Sequence, residues 1–145
     1  MLMLARRFAL IAVFLLTSAV LARADDSVAP ADGTAIRQVI QSQMNAFKVD
    51  DWDAAFGYAA PSIQAKFQSP QIFSQMVTQA YQPVYRPRSV EFRELKDSAF
   101  GPTQEVLVIG PDGISYLAYY TMERQADGSW RISGCYLVRM EDQNV

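Results

Sequence analysis

The chain has 145 residues, half of them hydrophobic, and its 13 basic and 15 acidic side chains give a formal net charge of −2. One cysteine, Cys135, and the lack of histidine exclude an internal disulfide, a histidine-ligated zinc site and every nucleophile that histidine activates. We expect a single domain, and we predict neither a metal ion nor a cofactor.

Residues 1–24 have the order of a secretory signal peptide. Arg6 and Arg7 precede an apolar stretch at 8–20, and Ala22-Arg23-Ala24 supplies the small residues of a cleavage site. The stretch is shorter than the roughly 20 apolar residues that cross a bilayer, so no stable membrane anchor is expected after cleavage. We therefore expect a periplasmic or secreted protein.

Removal of residues 1–24 takes away three arginines and no acidic residue, which leaves 10 basic and 15 acidic side chains and a net charge of −5. A nucleic-acid partner is disfavoured because phosphate binding requires a basic surface. Residues 25–33 are small and polar, and we expect them to be a flexible lead-in to a single domain at 34–145.

Helical patterns fill the first half of that domain. The first helix is predicted from Thr34 to about Val49, and Asp50 is expected to cap a second helix. Pro61 is predicted to begin a further turn, and Ser69-Pro70 a helix that Pro83 stops. The apolar stripe of the first helix comprises Ile36, Val39, Ile40, Met44 and Phe47, and that of the second comprises Trp52, Ala55, Phe56 and Ala59.

After Pro87 the pattern changes to short β-branched or aromatic runs, which glycine-containing turns separate. We predict a four-stranded antiparallel meander. Helices followed by strands in one chain of this size indicate an α+β fold, in which the N-terminal helices pack on one face of the sheet.

Three-residue loops at 111–113 and 126–128 would also predict the register of the strands. On the face toward the helices the register aligns Val108, Tyr116 and Val138, followed by Val106, Ala118, Tyr136, Met122 and Ile132. The opposite face receives a leucine row beside the cysteine: Leu107, Leu117, Cys135 and Leu137. A solvated face would not need this row, so we predict a homodimer that covers it.

Several segments match a known pattern: Ile36 to Phe47, Asp50 to Phe56, Ala60 to Ile63, Val84 to Pro87 and Met122 to Ile132. On these segments the chain resembles domain-of-unknown-function family 4864. That family is similar in outline to the nuclear transport factor 2-like superfamily, whose members set helices against a strongly curved sheet and form a cone with a cavity. The resemblance implies this cone and supplies no reaction.

Two groups of residues are candidates for ligand binding. The guanidinium groups of Arg86 and Arg88, beside Tyr85, could hold a carboxylate or phosphate, although we favour the simpler explanation that they pair with nearby acids. A cavity that retained Tyr58, Tyr116, Tyr120 or Tyr136 would suit a small apolar or amphipathic ligand. We therefore predict non-catalytic binding of a small ligand or a protein.

The alternative is a small cone-fold enzyme of the isomerase or hydrolase type. It would use a buried carboxylate beside a tyrosine, for which Glu123 and Tyr120 are the candidates. A cross-strand ion pair with Arg131 would explain Glu123 without catalysis. The acidic cluster at 50–53 is interpreted as helix capping rather than as a metal site.

Overall fold

The computed structural model describes residues 28–141, within which five helices precede four strands. The strands pair in the order β1-β2-β3-β4, every neighbouring pair is antiparallel, and the sheet stays open. This confirms the α+β prediction, while the nuclear transport factor 2-like cone stays a prediction. The elements are α1 Pro30–Lys48, α2 Trp52–Gly57, α3 Pro61–Phe67, α4 Pro70–Ala80, α5 Gln82–Tyr85, β1 Ser89–Lys96, β2 Thr103–Ile109, β3 Ser115–Arg124 and β4 Trp130–Arg139.

The predicted signal peptide at residues 1–24 lies outside the described residues. Within residues 28–141, no helix combines the length and the apolar character needed to cross a membrane. Residues 30–33 were expected in the lead-in but form the first turn of α1. Pro30 begins this helix because a proline at the first helical position lacks only an N–H that would have no partner there.

The predicted cap of α2 is wrong by one residue. Asp51, not Asp50, accepts a hydrogen bond from the backbone N–H of Ala54 at 3.1 Å. Asp50 has a φ of 54°, in the left-handed region, so it turns the chain between α1 and α2. Its carboxylate is thereby free to bind elsewhere.

The proline and serine signals in the helical half are confirmed with one exception. Pro61 begins α3, and the Ser69 hydroxyl caps α4 by accepting from the N–H of Ile72 at 3.2 Å. The exception is Pro83, which does not stop α4: that helix ends at Ala80, and Pro83 lies inside the short α5.

The predicted hairpin turns are confirmed. Gly113 and Gly128 have φ values of 81° and 85°, the left-handed conformation that a three-residue hairpin loop requires. Between β2 and β3 the register is the predicted one, with Val108 opposite Tyr116 and Leu107 opposite Leu117.

The register between β3 and β4 is correct beside the turn and wrong beyond it. Met122 pairs with Ile132 as predicted, but Thr121 pairs with Gly134, so Ser133 is an extra residue in β4. This β-bulge shifts the rest of β4 by one position, and a shift of one residue moves every side chain to the other face. The bulge also brings Gly134 against Thr121, since a Cβ at position 134 would lie 2.7 Å from the Thr121 Oγ1.

Because of the bulge, the sheet face predicted for four residues of β4 is wrong. Cys135 and Leu137 lie opposite Tyr120 and Ala118 and face the helices, so they do not belong to the proposed dimer face. The other two positions, Tyr136 and Val138, are 54% and 44% exposed on the outer face, and neither shares a face with Val108 and Tyr116. Together these positions give an outer face with the apolar residues Leu107, Leu117, Tyr119, Tyr136 and Val138.

The interior has two apolar clusters. In the larger one, α1 packs on the inner face of the sheet through three side chains with no exposed surface, Ile36, Ile40 and Met44. The smaller one joins the helices around Phe47 and Phe73, whose ring centroids are 6.3 Å apart. Tyr81 packs against both clusters and is hydrogen-bonded to Cys135 of β4, at the edge of the sheet.

Candidate functional site

A cavity of about 400 Å³ lies at that edge, between the helices and strands β3 and β4. Helices α3 and α4 form one wall, α1 forms another, and the strands form the floor. Most of the lining side chains are apolar. The lining residues are Gln43, Phe47, Ala59, Ile63, Lys66, Phe67, Phe73, Met76, Val77, Tyr81, Val84, Tyr120, Ile132, Ser133, Gly134 and Cys135.

The edge of β4 is attached to the helices at two points, and the cavity lies between them. In the loop before α3, the Ala60 N–H donates to the Ile132 carbonyl at 2.8 Å, and the Tyr58 carbonyl accepts from the Ile132 N–H at 2.9 Å. Farther along, the Tyr81 hydroxyl donates to the Cys135 carbonyl at 2.9 Å. The bulged residues at 133–134 fall between these attachments, so the bulge shapes the floor of the cavity.

Three polar side chains of the lining already have partners within the protein. The Gln43 Nε2 donates to the Ala55 carbonyl at 3.1 Å, Tyr81 makes the bond just described, and the Ser133 hydroxyl lies 3.3 Å from the Thr121 hydroxyl. Because these side chains already form hydrogen bonds within the protein, they stabilise the walls and do not require a ligand.

The hydroxyl of Tyr120 has no such bond. The side chain is 1% exposed, and among the residues that the structure describes its hydroxyl has no nitrogen or oxygen partner; its polar neighbour is the Cys135 thiol, which forms only weak hydrogen bonds. Burial raises the pKa of Tyr120 well above its ordinary value, and the neighbouring Cys135 adds to the rise. Burial also raises the pKa of the Cys135 thiol to about 12. The floor of the cavity thus presents one neutral hydroxyl and one protonated thiol.

Among the described lining residues, Lys66 has the only charged side chain. Lys66 is exposed at the end of α3, and its Nζ lies 5.4 Å from the ring centroid of Phe67. The described lining contains no aspartate and no glutamate. The cavity therefore combines apolar walls, a deep hydroxyl and a cationic group at its solvent-exposed side.

The structure does not bring the two candidate catalytic residues together. Tyr120 points from β3 toward the helices, whereas Glu123 lies on the outer side of the same strand and is exposed. Glu123 does face Arg131 across the strands as predicted, but the Arg131 Nη1 donates to the Gly57 carbonyl at 2.7 Å. The cavity thus holds the tyrosine without the carboxylate.

Tyr85 and Arg86 bind Asp50 rather than lining the cavity. The Tyr85 hydroxyl donates to the Asp50 Oδ1 at 2.6 Å, and the Arg86 Nη2 lies 3.1 Å from the same oxygen. Arg86 also donates to the Phe47 carbonyl at the end of α1. The Tyr85 hydrogen bond, with the Arg86 charge, lowers the pKa of Asp50, and the same bond raises the pKa of Tyr85. This cluster closes the connection between α1 and α2.

The other candidate ligand residues are also outside the cavity. The Arg88 Nη2 donates to the Pro111 carbonyl at 2.7 Å, and the Tyr116 hydroxyl donates to the Asp112 carboxylate at 3.3 Å. Tyr136 stacks on Tyr119 on the outer face, with ring centroids 4.8 Å apart. No group of three or more potential metal-ligating side chains occurs in the described part of the chain.

Sequence reasoning missed the residues that the helices contribute to the cavity. Ile63, Lys66 and Phe67 follow helical spacing on α3, as do Phe73, Met76 and Val77 on α4. A lysine on an otherwise apolar helical face was the available signal. Its meaning depends on what the face covers, which the spacing does not reveal.

A family model described as a domain of unknown function, DUF4864, matches residues 29–145. No curated protein matches the chain.

Proposed function

We propose that this chain, which belongs to the DUF4864 family, is a non-catalytic binding module for a small, largely apolar ligand. The observation that carries the proposal is the buried Tyr120 hydroxyl, which has no nitrogen or oxygen partner among the described residues and lies in an apolar cavity of about 400 Å³. Small-ligand sites are typically clefts of roughly 300 to 1,000 Å³ with apolar walls and a few placed polar groups. A ligand with a hydrogen-bonding group would satisfy the hydroxyl.

The chemistry of the lining argues against the enzyme alternative. General acid–base catalysis near neutral pH uses groups whose pKa lies near that pH. Burial moves the pKa of Tyr120 and of Cys135 away from neutrality, and the described lining offers no carboxylate. A thiol with a pKa of about 12 is also a poor nucleophile because the thiolate is the reactive form.

Ligand binding can be tested with the neutral apolar fluorescent probe N-phenylnaphthylamine. Saturable binding is expected for the wild-type protein. Met76→Trp should weaken it by about tenfold or more because the larger side chain occupies the cavity. Ile72→Trp is the matched control, since Ile72 is on the same helix, is exposed and does not line the cavity. No saturable binding to wild type, or equal binding to the Met76→Trp variant, would contradict the proposal.

The outer sheet face supports a second proposed role, self-association. Leu107, Leu117 and Val138 form an apolar row across three strands, and the Tyr119–Tyr136 stack lies beside it. The same face carries side chains of both charges, such as Glu123 and Arg131, so two copies could pair around a two-fold axis. The proposed homodimer uses the side of the sheet predicted from the sequence, with Val138 and Tyr136 there in place of Leu137 and Cys135.

A further inference from the structure

We infer that the ligand is an amphipathic monoanion, whose anionic head lies at Lys66 and whose apolar body extends toward a hydrogen-bonding group at Tyr120. This inference rests on the proposed function and adds the charge and polarity of the ligand. It uses the Lys66 ammonium, which has no ion-pair partner among the described residues, and the Tyr120 hydroxyl, which has no nitrogen or oxygen partner there.

The charge of the ligand follows from the lining. Among the described lining residues, Lys66 is the only basic one, and none is acidic. The ion pairs found in the described part of the chain lie elsewhere and do not include Lys66. Its Nζ lies near the ring of Phe67, which is itself part of the wall. An anionic head at this position would gain a charge-assisted hydrogen bond while its apolar body contacts the ring.

The position of the second polar group follows from burial. Tyr120 belongs to β3 at the floor, whereas Lys66 is exposed on the helical wall. A simple apolar chain would leave the Tyr120 hydroxyl without a partner, and a buried polar group in that state is unfavourable. A hydroxyl or carbonyl at the inner end of the ligand would remove this penalty.

Three probes with unbranched alkyl chains of nine or ten carbons test the charge: decanoate, decanol and decyltrimethylammonium. In titration calorimetry, decanoate should bind wild type about fivefold more tightly than decanol, and decyltrimethylammonium should bind most weakly. Since Lys66 is exposed, the preference for decanoate should shrink as ionic strength rises.

Charge reversal separates a binding role of Lys66 from a structural one. Lys66→Glu should weaken the binding of decanoate by about tenfold and strengthen the binding of decyltrimethylammonium. A loss of packing alone would not strengthen the binding of the cation. Lys48→Glu is the matched control, because Lys48 is an exposed helix-terminal lysine outside the lining. It should leave all three affinities unchanged.

Decanoate with a hydroxyl on its terminal carbon tests the proposed hydrogen bond between the inner end of the ligand and Tyr120. It should bind wild type about threefold to tenfold more tightly than decanoate, and Tyr120→Phe should abolish that advantage. If none of the probes binds, the proposed function fails together with this inference. If the anionic, neutral and cationic probes bind equally well, or if Lys66→Glu changes none of them, the inference fails while the proposed function stands.

Discussion

The two tyrosines that line the cavity differ in how their hydroxyls are satisfied. Tyr81 donates to the Cys135 carbonyl, whereas the hydroxyl of Tyr120 is buried without a partner in the described structure. Buried tyrosine hydroxyls usually find a hydrogen bond, and leaving one unmade costs about 1 to 3 kcal/mol. The Tyr120 hydroxyl therefore lowers the stability of the protein, a penalty that the proposed ligand would remove.

We expect Tyr120→Phe to raise the free energy of unfolding by about 1 kcal/mol, because it keeps the ring and removes the unsatisfied hydroxyl. Tyr81→Phe is the matched control and should lower the free energy of unfolding by about 1 kcal/mol, since it removes a bond that is made. Urea denaturation followed by circular dichroism measures both. A destabilised Tyr120→Phe protein would mean that the hydroxyl is satisfied without a ligand.

Among the elements, β4 has the largest influence on the site. Its bulge at Ser133 places the cysteine on the inner face and lies between the two attachments of the strand edge. Gly134 allows the close approach to Thr121, which a larger residue would block. An isolated glycine within a strand pattern is a known sign of a bulge, so this signal was present in the sequence.

We expect Gly134→Ala to lower the free energy of unfolding by about 1 to 3 kcal/mol, because its Cβ would lie 2.7 Å from the Thr121 Oγ1. Gly57→Ala is the control, since a Cβ there meets nothing within 4 Å, and its effect should be less than about 1 kcal/mol. Adding Thr121→Ala should recover part of the loss. If Gly134→Ala lowers the free energy of unfolding by the same amount in the wild-type and Thr121→Ala backgrounds, the steric explanation is wrong.

For the molecule as a whole, the two faces of the sheet have different roles. The inner face packs against α1 and supplies the floor of the cavity. The outer face leaves Tyr136 and Val138 about half exposed beside Leu107 and Leu117. The proposed dimer would cover this apolar row, and burying it would supply the hydrophobic free energy for association.

In size-exclusion chromatography with light scattering, we expect the wild-type protein to be a dimer and Val138→Arg to be a monomer. A guanidinium group at this exposed position should oppose the apolar contact without disturbing the core. Val49→Arg, an exposed apolar position away from the sheet, should remain dimeric. A monomeric wild type, or a Val138→Arg protein of unchanged mass, would contradict the dimer.

The sequence by itself determined the order of the elements, the Ser69 cap and the glycine turns at 113 and 128. These features depend on neighbouring residues, because side-chain spacing, capping and left-handed φ values act over a few positions. The inward residues of β2 and β3 were predicted for the same reason.

Only the tertiary structure decided on which face of the sheet the β4 residues after the bulge lie, and which residues line the cavity. One extra residue in β4 reverses the orientation of every later side chain, so a small local irregularity has a large effect on which residues meet. The cavity joins Gln43, Lys66 and Tyr120, which are distant in the chain and come together only through packing. The candidate site therefore could not be read from motifs, since no single segment contains it.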